Sequence, residues 1–246
     1  MMNVLNVAVP NFSKFEEQLG LITPYSLWNT VDGPLFYRWM DLAYESDFDQ
    51  IQFHLPAELP ISAEDLALQG RWPVDVQWQR GGALAVDLER YEILYGDPGA
   101  GEVQGPWELV DCHWLAVTNR LGLLWDQFVP DFPGVRFGRL SRVDPTVRLQ
   151  EPYWIGDECY VGPGAIIGPG TVISNGCVIG AGAKLEATYV GPEQWIAEEV
   201  VFDGYHLQDG VALNRKRRLD GLILDPALLR SRRKRPVAGW GELRSA

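Results

Sequence analysis

Residues 143–189 repeat one pattern every six positions, and a period this short is compatible with few folds. Gly stands after the aliphatic position in several units and again two positions later, where it permits corner conformations that a Cβ would strain. The pattern predicts a parallel β-helix in which each unit is one short strand plus a corner. The in-phase aliphatic residues of the eight units are Val143, Leu149, Ile155, Val161, Ile167, Ile173, Ile179 and Leu185.

Three units should close one coil, so residues 18 apart should stack at about 4.8 Å, the ordinary spacing between strands. Cys159 and Cys177 are also 18 apart. Parallel side chains at that spacing exceed the usual disulfide Cβ separation of roughly 3.8 Å, so we interpret both as small buried residues. The predicted stacks are Val143 on Val161 on Ile179, Leu149 on Ile167 on Leu185, and Ile155 on Ile173. Beyond Tyr189 the phase shifts, and a new register contains Val190, Ile196 and Phe202.

This repeat resembles the left-handed parallel β-helix of hexapeptide-repeat proteins. The left-handed winding is implied by the resemblance, and it departs from the right-handed rule for parallel crossovers. Many such proteins are trimeric acyltransferases in which a His acts as general base on a hydroxyl or an amine. Under that hypothesis His206 is the catalytic candidate, with acyl-CoA or acyl carrier protein as donor. A structural His in the closing strand is the competing interpretation.

The composition is that of an ordinary globular chain of one large or two small domains, with 246 residues, of which 46% are hydrophobic. No apolar run approaches the roughly 18 residues of a membrane span. The N-terminus lacks a basic segment followed by an apolar stretch, so we expect a cytoplasmic protein without a secretory signal.

The charge is distributed unevenly, since the net charge is −12 although residues 211–246 carry ten Lys and Arg against three acids. Two basic clusters, at 215–218 and 230–235, suggest an anionic membrane surface, an RNA or an acidic partner. The alternative, which we favour, is that the tail neutralises the acidic body. A nucleic-acid role is disfavoured because the rest of the chain would repel phosphate.

Strand and helix patterns alternate in the first half, which predicts a parallel α/β layer. Strands are expected at 4–9, 50–55, 74–78 and 90–95, and helices at 34–44 and 114–128. The order of segments resembles that of sugar-1-phosphate nucleotidyltransferases. Successive stretches of that family are similar to four segments of this chain: TPYSLWNTVDGPLFYRWMDLAYESDFDQIQFHL, RWPVDVQWQRGGALAVDL, ILYGD and GPWELV. The family's closing coils are similar to YVGPEQWIAEEVVFDGYHLQDGVAL. The resemblance implies a truncated Rossmann-like nucleotidyltransferase domain at 1–135, the β-helix at 136–213 and a basic tail at 214–246.

The same resemblance implies candidate site residues. Gly81 and Gly82 would permit close approach of a nucleobase, and Asp97 would present a metal-binding carboxylate, with Mg²⁺ as the metal. The competing interpretations are a strand-to-helix turn at the glycines and a turn-forming Asp. The second metal-binding Asp of that family has no counterpart in this chain. Mg²⁺ sites rely on carboxylates together with substrate phosphates, so Asp97 alone would not form the usual site.

The phosphate-binding features of that family are also absent. Its Gly-rich loop is replaced by VPNFSKFEEQLGLIT, in which Glu16 and Glu17 would repel a triphosphate, and Tyr25 or Ser26 stands in place of a Lys. We therefore expect a catalytically inactive or regulatory relative in sugar-nucleotide or polysaccharide metabolism. It would bind a nucleotide sugar and pair with copies of itself or with an active relative. The alternatives are the acyltransferase and a residual nucleotidyltransferase that uses Asp97.

Overall fold

The structure is a computed structural model and describes residues 3–9, 13–21, 23, 36–57, 74–81, 92–93, 105–127, 137–222 and 227–231. In this part of the chain the helices are α1 (Ser13–Gln18), α2 (Phe36–Glu45) and α3 (Pro106–Gln127). The first four strands are β1 (Val4–Ala8), β2 (Gln50–Leu55), β3 (Asp75–Arg80) and β4 (Glu92–Ile93). None of the described helices is long and apolar enough to cross a membrane.

The first four strands form a parallel sheet in the order β3-β2-β1-β4. Its strands alternate apolar and polar residues, which is unusual because parallel strands are commonly covered on both faces. The apolar face packs against α2 through Trp39, Met40 and Ala43, which lie on a layer built around Ile51 and Phe53. The parallel sheet predicted for the first half is confirmed for these four strands.

The opposite face of this sheet carries amide side chains that bond to one another. Gln52 Nε2 donates to Gln79 Oε1 at 2.8 Å, which links β2 to β3. Gln50 Nε2 and Gln77 Nε2 both donate to Asp75 Oδ2, at 3.0 and 2.9 Å. Since each bond joins neighbouring positions, the polar side chains on this face of β2 and β3 form a connected hydrogen-bond network.

The second part of the chain is a β-helix of short strands that pair in parallel across successive coils, as the repeat predicts. One sheet has the order β15-β12-β9-β6, a second β19-β14-β11-β8-β5, and a third β18-β17-β16-β13-β10-β7. These strands are β5 (Arg142–Val143), β6 (Arg148–Leu149), β7 (Tyr153–Ile155), β8 (Tyr160–Val161), β9 (Ile166–Ile167), β10 (Thr171–Ile173), β11 (Val178–Ile179), β12 (Lys184–Glu186), β13 (Tyr189–Val190), β14 (Gln194–Ile196), β15 (Val201–Asp203), β16 (Tyr205–Gln208), β17 (Val211–Asn214), β18 (Leu219–Leu222) and β19 (Leu229–Ser231).

Every predicted stack is present in the strand register. Val161 pairs with Val143 on one side and with Ile179 on the other. The other two stacks, through Ile167 and Ile173, are confirmed in the same way. The inward aliphatics form one continuous core that also contains Cys159 and Cys177, both as free thiols.

The phase shift lies between Leu185 and Tyr189, slightly earlier than predicted, where one side of the coil is one residue shorter. Ile173 pairs with Val190, and Ile179 pairs with Ile196, so equivalent positions are 17 apart instead of 18. The shortened side contains Thr188, which is fully buried and whose hydroxyl donates to Glu186 O at 2.7 Å. A buried hydroxyl bonded to the backbone thus stabilises the tighter corner.

The glycines of the repeat serve two separate geometric needs. Gly164 has φ +69°, a left-handed conformation that costs a residue with a Cβ about 1–2 kcal/mol. Gly180 is needed because a Cβ there would lie 2.5 Å from Ala197 C and from Glu198 N in the next coil. Corner conformation and close approach of coils therefore both select Gly.

Helix α3 packs along the outer surface of the β-helix. Val117 and Leu121 of α3 contact Val172 and Tyr189 in one apolar cluster. A second cluster joins α1 and α3 to strand β17; it contains Leu19, Leu21, Leu109, Val110, Ala116, Val211 and Leu213. This packing connects the first part of the chain to the β-helix.

The parallel coils are followed by antiparallel strands. β16 and β17 form a hairpin whose two-residue turn, Asp209–Gly210, has positive φ at both positions, as type I′ turns require. Strand β18 extends this sheet, and β19 pairs antiparallel with β14. Part of the segment 214–246, expected as a tail, therefore contributes strands to two sheets.

Candidate functional site

One outward row of the β-helix carries the His that the sequence singles out. In the sheet that faces α3, Trp154 pairs with Val172, Val172 with Tyr189, and Tyr189 with His206. These side chains alternate with the inward aliphatics of the same strands, so they project away from the prism. His206 thus lies on the outer surface of the β-helix but under α3, and it is fully buried.

Three rings meet at this position. The centroid of the His206 ring lies 4.6 Å from that of Tyr189 and 5.1 Å from that of His113 in α3. His113 and Tyr189 complete the triangle with centroids 4.7 Å apart and nearly perpendicular planes. Because His113 and Tyr189 are also fully buried, the three rings form a closed aromatic contact between the helix and the sheet.

The electrostatics of this contact favour neutral imidazole. Burial lowers the pKa of His206 well below its usual range, and the positive charges of His113 and Arg215 lower it further. The neighbouring Gln208 side chain raises the pKa of His206 and so acts in the opposite direction. A general base must reach the proton that it abstracts, directly or through one water, whereas His206 has no exposed surface in this arrangement. This geometry favours a role in packing over proton transfer to an external substrate.

Arg215 follows strand β17 and lies near enough to His206 for its charge to lower the pKa of that imidazole. Its guanidinium carbon lies 3.5 Å from the centroid of the Trp114 ring of α3, and its Nη2 donates to Ala187 O at 2.7 Å. Burial lowers the pKa of Arg215 to about 10, while Asp111 and Asp203 oppose that shift. The side chain stays charged near neutral pH and joins α3 to the shortened corner of the β-helix.

Neighbouring basic residues contact acids of the same chain. Arg218 Nη2 bonds to Asp111 Oδ2 at 3.0 Å, and Lys216 Nζ bonds to Asp203 Oδ1 at 2.6 Å. The four side chains are between 44% and 60% exposed, so water screens each pair and its contribution to stability is small. In the cluster at 215–218, the side chains of Arg215, Lys216 and Arg218 therefore interact with groups of the same chain.

Gly81, one of the two glycine candidates, lies at the carboxyl end of the first sheet. Gly81 follows β3, has φ +72°, is exposed, and has open space where a Cβ would stand. Its N–H donates to Leu55 O at 3.2 Å, which ties the turn to β2. Gly82 and Asp97 lie outside the described residues.

The described residues contain no group of three or more His, Cys, Asp and Glu side chains that could hold a metal ion. Asp97 is not among them, so Mg²⁺ remains an expectation. Burial raises the pKa of Cys177 well above its usual range and raises that of Cys112, which disfavours the reactive thiolate at both positions. The pKa of Cys159 is lowered by its hydrogen bond with Cys177, but this thiol is buried in the core of the β-helix.

Part of the coils matches a known family model. Residues 152–187 match the family described as bacterial transferase hexapeptide (six repeats). The match supports a hexapeptide-repeat β-helix, and it is consistent with a transferase-like role. A search of curated proteins finds no match to this chain.

The residues around His206 were not singled out from the sequence. Tyr189 could have been found, because the shortened coil places it 17 residues before His206. His113 and Trp114 had no such signal, since their positions depend on how α3 lies on the β-helix. Arg215 stands in a basic cluster whose contacts only the fold reveals.

Proposed function

We propose that this protein is a catalytically inactive or regulatory relative of sugar-1-phosphate nucleotidyltransferases, acting in cytoplasmic sugar-nucleotide or polysaccharide metabolism. The observation that carries the proposal is the order of the parts: the sheet β3-β2-β1-β4, helix α3 and the β-helix follow one another. In open α/β sheets, ligands bind beyond the carboxyl ends of the strands where the strand order reverses. The reversal falls between β1 and β4 in this chain, so a truncated Rossmann-like domain would bind its ligand there.

The inactive character is supported by the charge of the segment that follows β1. Phosphoryl-type transfer requires positive charge around the phosphate oxygens. Helix α1 instead carries Glu16 in its first turn, followed by Glu17, and Lys14 is its one basic residue. Acidic side chains at a helix N-terminus offset its favourable field for anions. Loss of this cradle would leave binding of a nucleotide sugar through the sugar and base.

The proposal is tested by separating binding from turnover. The full chain is incubated with Mg²⁺, each nucleoside triphosphate and a panel of sugar 1-phosphates, and pyrophosphate release is measured. We expect none, whereas one nucleotide sugar should raise the melting temperature. At 100 times its Kd a ligand stabilises by about 2.7 kcal/mol, or roughly 5–10 °C for a chain of this size. Absence of any shift with nucleotides and nucleotide sugars would contradict the proposal.

The candidate position Gly81 gives a matched pair of variants. Gly81→Val would place a branched side chain in the open space at the end of β3 and should abolish the shift caused by the nucleotide sugar. Gly122→Ala, on α3 and likewise in open space, should keep it. Equal responses of the two variants would place the ligand elsewhere. Pyrophosphate release that disappears in Asp97→Asn would instead establish a residual nucleotidyltransferase.

An acyltransferase is the second candidate, because residues 152–187 match a transferase hexapeptide family. It would use acyl-CoA or acyl carrier protein as donor and His206 as base. The burial of His206 beneath α3 argues against it. Stabilisation by acyl-CoA, together with turnover that His206→Ala abolishes, would establish this function and overturn the first.

Association with an active relative, or among copies of the chain, completes the proposal. A regulatory protein of this class would act by changing the turnover of its partner. Light scattering over a concentration series distinguishes a monomer from an oligomer. A strictly monomeric protein that leaves the turnover of a nucleotidyltransferase from the same source unchanged would remove the regulatory part of the proposal.

A further inference from the structure

We propose that Asp209 is a positioning residue which, through Thr23, couples the ligand crevice of the first sheet to the β-helix. Asp209 lies in the turn of the β16–β17 hairpin, 186 positions from Thr23 in the chain. Its Oδ2 accepts a hydrogen bond from the Thr23 backbone N–H at 2.9 Å, and its Oδ1 accepts one from the Thr23 hydroxyl at 2.8 Å. The crevice rests on the proposed function, whereas the contact between the two residues does not.

The contact between Asp209 and Thr23 is enclosed by the protein, since the two residues are 2% and 7% exposed. A carboxylate that accepts a backbone N–H and a hydroxyl of the same residue fixes both the position and the orientation of that residue. Hydrogen bonds to an ionised carboxylate are roughly twice as strong as those between neutral groups. Because water has little access to this contact, it cannot readily replace a bond that is lost.

The hairpin end of the contact is bonded to the coils. Gly210 N donates to Gln194 Oε1 at 3.0 Å, and Gln194 Nε2 donates to Pro192 O at 2.9 Å. Gln194 is buried at the start of β14, a strand that pairs with β11 on one side and with β19 on the other. The turn that carries Asp209 is therefore held by the β-helix, so Thr23 is fixed relative to the coils.

The other end of the contact belongs to a segment that is too short to keep its position alone. Helix α1 (Ser13–Gln18) has six residues, and isolated helices shorter than about 12–15 residues are marginal in water. The helix ends in a Schellman motif, in which Leu21 N donates to Glu16 O at 2.8 Å and Gly20 has φ +73°. Thr23 follows directly after this motif, so its contact with the hairpin limits how far α1 can move.

The position of α1 matters because this helix follows β1. Residues 10–12 separate Val9 from Ser13, so α1 begins close to the carboxyl end of β1, beside the point where the strand order reverses. On its other side, the segment packs Leu19 and Leu21 into the apolar cluster that contains Val211 of β17. The boundary of the crevice on the α1 side is therefore set by contacts with the hairpin.

Coupling between the crevice and the β-helix follows from this arrangement. A ligand that needs α1 in place binds more tightly when the contact between Thr23 and Asp209 is made. By linkage, the bound ligand stabilises that contact, and with it the hairpin, by the same factor. A regulatory protein of the proposed class would transmit occupancy of the crevice to the β-helix by this route.

Hydrogen exchange measured by mass spectrometry on the full chain tests the anchoring of α1 without a ligand. Thr23→Val removes the hydroxyl at nearly constant volume, and Asp209→Asn keeps a residue type that tolerates the left-handed φ of +54°. In both variants the amides at 19–21 should exchange about tenfold faster, the size expected for loss of a hydrogen bond to a charged group. Exchange of the coils at 160–185 should not change.

Two variants serve as controls for this measurement. Thr23→Ser keeps the hydroxyl and should restore the exchange rates of the wild type. Asp144→Asn is the matched carboxylate control, because Asp144 accepts the same two bonds, from Thr146 N and Thr146 Oγ1, within the first coil. Its α1 exchange should equal that of the wild type.

The coupling is tested by calorimetric titration with UDP-glucose, ADP-glucose, GDP-mannose and dTDP-glucose. For the nucleotide sugar that binds the wild type, Thr23→Val and Asp209→Asn should each raise the Kd about tenfold, whereas Thr23→Ser and Asp144→Asn should leave it unchanged. The same nucleotide sugar should slow exchange of the hairpin amides at 206–213 in the wild type and not in Thr23→Val. This reciprocal effect distinguishes coupling from a purely structural role of the contact.

The outcomes separate this inference from the proposed function. Unchanged exchange at 19–21 in both Thr23→Val and Asp209→Asn would overturn the anchoring, as would equal acceleration in α1 and in the coils. Faster exchange with an unaltered Kd would overturn the coupling while leaving the proposed function intact. If none of the four nucleotide sugars binds the wild type, the proposed function and the coupling fail together, and exchange alone decides whether Asp209 positions α1.

Discussion

Arg215 and Trp114 connect two elements that are far apart in the chain, with the guanidinium carbon 3.5 Å from the ring centroid. Arg215→Met should destabilise the protein by about 1–3 kcal/mol, because it removes a half-buried cation–π contact and a charge-assisted hydrogen bond to Ala187 O. Urea denaturation followed by tryptophan fluorescence measures this difference. Arg217→Met, at an exposed neighbour, is the control and should change stability by less than about 0.5 kcal/mol. Equal midpoints for the two variants would refute the importance of Arg215.

Two glycine-to-alanine changes should have opposite signs. Gly164→Ala places a Cβ in a left-handed corner and should cost about 1–2 kcal/mol, although nothing lies within 4 Å of the new atom. Gly122→Ala, in open space on α3, should stabilise by up to about 1 kcal/mol because Ala is the better helix former. Thermal unfolding of the two variants beside the wild type tests the pair. A stabilised Gly164→Ala variant would show that the corner is not left-handed.

The inward stack should dominate the stability of the coils. Ile179 is fully buried between Val161 and Ile196, so Ile179→Ala should cost about 2–5 kcal/mol through lost burial and the cavity that it leaves. Val201→Ala removes an outward side chain of the same β-helix that is 61% exposed and should cost less than about 0.5 kcal/mol. Chemical denaturation distinguishes the two. Similar losses would mean that the inward and outward faces are misassigned.

The three thiols should differ in reactivity and should link stability to alkaline pH. Cys159 and Cys177 are buried in the prism, and burial raises the pKa of Cys177, so neither should react with an aromatic disulfide reagent at pH 8 in the folded protein. Cys112 is half-buried with a raised pKa and should react slowly. All three should react at once in urea. Rapid modification of two or more thiols in native protein would contradict the closed core.

The burial of the Cys177 thiol also predicts the direction in which the free energy of unfolding changes above neutral pH. A thiol whose folded pKa is raised contributes stability that is present below the unfolded pKa and is lost as the pH rises through the folded one. Unfolding free energy should therefore decline at pH values above about 9 in the wild type. Cys177→Ala, which keeps a small inward residue, should show a smaller decline. An identical pH profile in that variant would assign the decline to other groups.

How far the sequence predicts this fold depends on whether the signal is local. The stacks through Val161 and Ile179 follow from spacing alone, because each inward residue meets its equivalent one coil away. Strand β2 has the bounds predicted for it, 50–55, which are the bounds of its alternating polar and apolar residues. Asp209–Gly210 is a hairpin signal that the sequence offered, although we predicted only a closing strand there. Local periodicity and turn chemistry fix these elements independently of the rest of the chain.

The candidate site was less predictable because it depends on contacts between distant elements. His113 and His206 meet only because α3 lies on the outer row of one sheet, and no spacing encodes where a helix docks. Helix α3 itself begins at Pro106, eight residues before the predicted start, because Pro is favoured in the first turn. The burial of His206 likewise required knowledge of what covers the outward row. Gly82 and Asp97 stay predictions.

Because α3 covers one sheet of the β-helix, it also determines which surfaces of the β-helix are available to other molecules. A three-sided column offers three walls to neighbours, and the chain's own helix already takes one of them. Molecules that pack without displacing α3 would meet the column at its ends or at the other two walls, where Tyr160 and Val201 stand exposed. A partner that binds the sheet covered by α3 would have to displace α3, whose effective concentration is high because it belongs to the same chain.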